Sequence, residues 1–181
     1  MDDHKRFAFL FAVDEDNGFG LNGGLPWPKN KADMQRFRDL TMTQIVCVGR
    51  ETAKTLPKLP GRLLISLTTK PTVEERVRNL KWHEDKTIPL VYTADDVIVA
   101  ANAMGDPETR VFFAGGRRVL WGLHMHPKIL WAHVSVIHEI HTADTRLELH
   151  AWLRHGAWQQ VSKTEAEGVT FYDYARGAAL Q

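Results

Sequence analysis

The chain has 181 residues, of which 44% are hydrophobic and 25% charged, enough for one soluble domain with a sizeable core. Its formal net charge of +1 gives no electrostatic footprint for nucleic acid, and no apolar stretch approaches the length of a membrane span. The single cysteine, Cys47, cannot close an internal disulfide. It lies in the apolar run Ile45–Val48, where a buried inert thiol fits better than a nucleophile, and a reducing, cytoplasmic compartment is expected.

Phe7–Val13 is a short apolar run behind Lys5 and Arg6. Asp14, Glu15 and Asp16 follow it in place of a small-residue cleavage site, so it reads as a buried strand rather than a signal peptide. A glycine-studded loop, Gly18 to Gly24, then enters Leu25-Pro26-Trp27. The next segment, Lys31–Leu40, has helical spacing. It puts Asp33 on one face with Phe37, four residues on, and with Met34 beside them. An acid sharing a face with Met and Phe is either badly placed or functional.

Beyond this helix, short apolar runs alternate with helix-like segments. Strands are expected at Gln44–Val48, Leu63–Leu67, Ile88–Val91, Arg110–Ala114, Ile129–Ile137, Trp158–Lys163 and Thr170–Tyr174. Helices are expected at Arg50–Thr55, Asp95–Met104 and Arg117–Leu123, the second opened by a Thr93/Asp96 capping box. Thr72–Asp85 reads as loop or short helix. The alternation predicts an α/β domain over 1–181, with a mostly parallel sheet of about eight strands and about four flanking helices. The last two strands have only Glu165–Gly168 between them and should pair antiparallel at one edge.

Three strand ends carry cations and hydroxyls: Val48-Gly49-Arg50-Glu51-Thr52, Thr68-Thr69-Lys70 and Gly115-Gly116-Arg117-Arg118. A Gly pair lets a ligand approach the backbone, and a helix start offers free N–H groups to phosphate. Each pattern alone fits an ordinary turn. Three in one sheet point to a ligand at the carboxyl ends of the strands. Arg62, after Leu59-Pro60-Gly61, could hold a carboxylate bidentately or be a surface turn residue. Nine histidines include the near pairs His124/His126 and His138/His141, but no metal-ligand spacing appears, and no metal is expected.

Taken in order, these motifs resemble dihydrofolate reductase. Gly18-x-Gly20-x-x-Gly23-x-Leu25-Pro26-Trp27 is followed by an acid six residues on, Phe37 four after that and Thr41 four later. Val48-Gly49-Arg50-x-Thr52, Leu59-Pro60-Gly61-Arg62, Thr68-Thr69 and Gly115-Gly116-Arg117-Arg118-Val119-Leu120 follow. The similarity runs in register from Phe9 to Asp144 and more loosely beyond.

The resemblance implies NADPH-dependent reduction of 7,8-dihydrofolate to tetrahydrofolate by a cytoplasmic monomer sensitive to antifolates such as methotrexate and trimethoprim. Asp33 would orient the pterin and promote N5 protonation, with Trp27 holding the linking water. Leu10, Phe11, Met34, Phe37, Leu56, Leu59 and Ala114 would line the substrate pocket, and Arg62 would grip the glutamate tail with Lys58 as second cation. Ala12 and the loop residues Gly18, Phe19, Gly20, Leu21, Gly23 and Gly24 would meet the nicotinamide side. Gly49, Arg50, Glu51, Thr52, Leu67, Thr68 and Thr69, with Gly115, Gly116, Arg117, Arg118, Val119 and Leu120, would hold the rest of the cofactor. The Gly115–Gly116 peptide would be cis.

Four positions depart from the family pattern. Ala132 stands where a Thr usually bonds the acid, which would leave Asp33 one partner short. Ala114 replaces a larger aliphatic, Leu120 replaces a Tyr beside the nicotinamide, and Phe11 replaces a small residue and would fill the space at Ala114. Phage-encoded reductases vary in this way, and a host-cytoplasmic phage enzyme is one origin such departures suggest. Two alternatives stay open: a related pyrimidine or pterin reductase of riboflavin-type metabolism, and a non-catalytic folate- or NADPH-binding or structural protein on the same fold.

Overall fold

A computed structural model describes residues 6–80, 90–103, 106 and 108–181. Among them the strands are β1 (Phe7–Asp14), β2 (Gly18–Gly20), β3 (Ile45–Gly49), β4 (Leu63–Leu67), β5 (Leu90–Tyr92), β6 (Val111–Gly115), β7 (Trp131–Ile137), β8 (Thr145–Arg146), β9 (Gln159–Ala166) and β10 (Val169–Ala175). The helices are α1 (Lys31–Thr41), α2 (Arg50–Thr55), α3 (Val73–Leu80), α4 (Ala94–Ala103), α5 (Arg117–Leu123) and α6 (Leu149–His155), and a 3-10 turn (Gly177–Leu180) follows.

Eight strands form one sheet in the order β5-β4-β3-β6-β1-β7-β10-β9. Pairing is parallel from β5 through β7 and antiparallel for β7/β10 and β10/β9. The mostly parallel sheet with an antiparallel edge is the expected architecture. The β9–β10 turn is tighter than Glu165–Gly168, because β9 runs on to Ala166 and Gly168 turns the chain at φ 70°. The capping box is present: the Asp96 amide donates to Thr93 Oγ1 at 3.1 Å.

Three elements were not foreseen. β2 and β8 form a two-stranded ribbon too short to show alternation. α6 has only Trp152 fully buried and begins at Glu148 without a side-chain cap, so it carries no start signal. The ambiguous charged stretch resolves into α3, whose Thr72 and Glu75 cap each other. Ile88, Met104 and residues 81–85 lie outside the described residues.

The two faces of the sheet differ. Phe7, Phe9, Phe11 and Val13 point to one side, where α4, α5 and α6 close a large core. Trp152 packs edge-on against Phe9 and Phe11, both with ring centroids at 5.1 Å, and stacks on Trp158 at 5.3 Å. Cys47 is fully buried, and burial pushes its thiol up out of the nucleophile range. Ala8 and Leu10 point to the other side, against Phe37 and Leu40 of α1. That side has a smaller core and carries the site.

Candidate active site

Asn30 caps α1, its side chain accepting the Asp33 amide at 2.9 Å. Asp33 therefore sits in the first turn, where the helix dipole favours an anion. Its carboxyl is nevertheless held above the ordinary value, because burial outweighs a hydrogen bond from the Ser135 hydroxyl and the charge of Arg36. Trp27 is 6% exposed among Ala12, Ala32, Ile137 and Val169. In contrast, Met34, the residue after Asp33 on α1, is 50% exposed, so a large apolar side chain stands open to solvent next to a half-buried acid.

Ser135 corrects the expectation at Ala132. Ala12 pairs with Ser135 and Phe9 with Ala132. Side chains alternate along β7, so Ser135 faces α1 while Ala132 is sealed in the opposite core. Asp33 is therefore not short of a hydroxyl. The same parity removes Phe11 from the substrate pocket, because its ring packs on Trp152, and it cannot fill space at Ala114. Leu120 is 0% exposed in that same core and offers no surface to a nicotinamide. Leu10, Ala12 and Phe37 lie on the Asp33 side.

The glycine-rich loop is anchored at both ends. Asp14 accepts the amides of Gly18 at 2.7 Å, Asp16 at 2.9 Å and His141 at 2.8 Å. Burial alone would raise the Asp14 carboxyl, but these amides leave it below its ordinary value. A Cβ on Gly18 would lie 2.4 Å from an Asp14 oxygen, so only glycine fits. Farther along, Asp144 accepts the Asn22 amide at 2.7 Å, and the Thr55 hydroxyl donates to the Gly23 carbonyl at 2.8 Å.

This loop leads to a second cluster. A Cβ on Gly115 would lie 3.8 Å from the Phe19 ring, one on Gly116 3.0 Å from Thr52 Oγ1, and one on Gly49 3.2 Å from Val119. Gly49, Thr52, Gly115, Gly116 and Val119 thus form a bare backbone cradle, and the Gly115–Gly116 peptide is cis. Both helices leaving the cradle start on a glycine with no side-chain cap. Arg50 reaches Thr68 Oγ1 at 3.0 Å, and its guanidinium is also paired with Glu75 at 2.6 Å. Glu51 turns away to Lys54 at 2.8 Å. Arg117 donates to the Arg146 carbonyl at 2.8 Å, while Arg118 and Thr69 are exposed.

At the other end of α1, Arg62 donates to the Pro60 carbonyl at 3.1 Å. Burial and the like charge of Arg38 both weaken its hold on its proton. Arg38 of α1 is thus a second cation near Arg62, which the sequence reading did not consider. Its signal was one helical turn of spacing from Met34 on the α1 face, read together with Arg62. Leu56 and Leu59 are half-buried, and Lys58 is exposed.

A family model described as dihydrofolate reductase matches residues 6–176. The chain belongs to the dihydrofolate reductase family. A dihydrofolate reductase of Enterococcus faecium is 30% identical over 127 residues, 69% of this chain and 68% of that protein. Dihydrofolate reductase HdrB of Haloferax volcanii is 28% identical over 181 residues, 94% of this chain and 84% of that protein. A solved dihydrofolate reductase from Enterococcus faecalis, complexed with NADP(H) and RAB-propyl, covers 96% of this chain and 98% of its own, with a TM-score of 0.66 and 23% identity, and shares the fold. Within a dihydrofolate reductase, the glycine cradle with Arg50 and Thr68 suits a phosphorylated dinucleotide, because it joins exposed backbone to a cation and a hydroxyl.

Proposed function

We propose that this chain performs its family's reaction through Asp33. The reaction is NADPH-dependent reduction of 7,8-dihydrofolate to 5,6,7,8-tetrahydrofolate, with hydride delivered to C6 and a proton to N5. NADPH, when bound, supplies the hydride. Asp33 accepts hydrogen bonds from the pterin ring and orients it, while the Ser135 hydroxyl fixes the carboxylate. A carboxyl raised by burial exchanges a proton nearer neutral pH than an exposed one, which suits it to promote N5 protonation through water beside Trp27. The observation that carries this reading is a half-buried acid, Asp33, bonded by Ser135 on the side of the sheet that also holds Leu10, Ala12 and Phe37.

Leu10, Met34, Phe37, Leu56, Leu59 and Ala114 line the ring pockets, and Arg62 with Arg38 receives the tail carboxylates. Gly49, Thr52, Gly115, Gly116 and Val119 take the pyrophosphate. Arg50, Thr68 and Thr69 take the 2′-phosphate, for which the Arg50–Glu75 pair must open. Phe19 and Ala12 flank the nicotinamide end. The same reading takes 1–181 as one domain acting as a cytoplasmic monomer and open to antifolates. Among the described residues no helix is long and apolar enough to cross a membrane.

The test is loss of NADPH absorbance in the presence of dihydrofolate, with and without methotrexate. Turnover blocked by methotrexate is expected. Binding of NADPH or folate without turnover would favour the binding-protein alternative.

A further inference from the structure

Across the α1 side of the sheet, one register row runs Leu10, His133, Asp173, Ser162 through β1, β7, β10 and β9. Its polar members converge on one carboxylate. His133 Nδ1 lies 2.6 Å from Asp173 Oδ1, and the Ser162 hydroxyl donates to Asp173 Oδ2 at 2.7 Å. Arg36, from α1 above, donates to Asp173 Oδ1 at 2.5 Å and to the Val134 carbonyl at 3.5 Å, with its guanidinium 4.6 Å from the Phe171 ring centre. Its side chain is only 16% exposed, and Asp33 lies one helical turn before it.

From this geometry we infer that Arg36 is a positioning residue for the reaction, a cation locked by Asp173 at a set place behind Asp33, where it sets the proton affinity of that acid. The inference rests on the role proposed for Asp33. Asp173 holds the guanidinium directly, and Asp33, three residues earlier on α1, stands close enough to feel its charge. The charge felt by Asp33 is what remains after Asp173 has offset part of it. The groups acting on Asp33 are Arg36 from its own helix and Ser135 from β7. Asp173 and His133 act through Arg36, and His141 lies behind Trp27 on the loop side.

This arrangement fixes the signs. Arg36→Met removes the cation, so the Asp33 midpoint rises by roughly one pH unit, the effect of a single nearby opposite charge. Asp173→Asn removes the competing anion, so the Asp33 midpoint falls. Arg36→Lys restores most of the wild-type value. Loosening of the fold alone would move the first two variants in the same direction.

The experiment is carboxyl-carbon NMR titration of Asp33 in the full chain, assigned by Asp33→Asn, beside the pH profile of hydride transfer. A rise in Arg36→Met with a fall in Asp173→Asn supports the inference. Equal midpoints, or shifts of one sign in both variants, overturn it. The NMR readout needs no turnover. Failure of the Asp33 reading would instead appear as full activity in Asp33→Asn.

Discussion

Asp33 and Asp173 sit on the same side of one sheet and their pKa values move in opposite directions. Asp33 is raised by burial, with one hydroxyl and the charge of Arg36 to offset it. Asp173 is also opposed by burial, yet hydrogen bonds from His133 and Ser162 and the charges of His133 and Arg36 take it down to about 2. Desolvation is thus common to both, and the number of donors decides the outcome. A fully satisfied carboxylate serves as structure, whereas a half-buried one with few donors is left able to exchange a proton. The two faces of the sheet repeat the contrast. Trp152, Phe9 and Phe11 seal one side, while Met34 on α1 stands open on the other.

The contrast breaks most visibly at Asp33. Asp33→Asn should slow hydride transfer at neutral pH by about 10²- to 10⁴-fold, the scale of a positioned acid. It should also raise the denaturation midpoint near neutral pH. Burial penalises the charged form, and that penalty grows as pH rises from the unfolded value of 3.8 through the raised folded value. Trp152→Ala, on the sealed face, should cost about 3–5 kcal/mol in denaturant unfolding. Met34→Ala, on the open face, should leave stability nearly unchanged and weaken dihydrofolate binding.

Asp173 sharpens the comparison through acid. Its folded value lies below the unfolded 3.8, so its contribution is complete above about pH 4 and is lost as pH falls towards about 2. Asp173→Asn should remove that part of the acid-unfolding slope. The smallest effect is expected at Glu75, which pairs with Arg50 at 2.6 Å and so competes with a phosphate for it. Glu75→Gln should tighten NADPH by about two- to fivefold, the scale of an exposed ion pair, and leave NADH unchanged by fluorescence titration.

Local spacing singled out Asp33, Trp27, Arg62 and the glycine pair in the sequence, because each belongs to a short motif. Ser135 was not legible. It lies across the sheet from α1, and locating it needs the β1/β7 register; the three-residue offset to Ala132 reverses the face. Phe11 and Leu120 failed for the same reason, since a motif position does not say which way a strand or helix turns its side chain. Arg38 escaped notice because Arg62, whose charge it feels, is distant in sequence. The main sheet could be read from apolar runs, whereas α6 and the β2/β8 ribbon are held by contacts that leave no period behind.

The most direct test of the central claim is the pH dependence of single-turnover hydride transfer in wild-type protein beside Asp33→Asn, both saturated with NADPH and dihydrofolate. The account predicts a wild-type profile governed by one ionisation above the ordinary carboxylate range, and its disappearance with most of the rate in the folded variant. A variant that kept the wild-type rate and profile would contradict it.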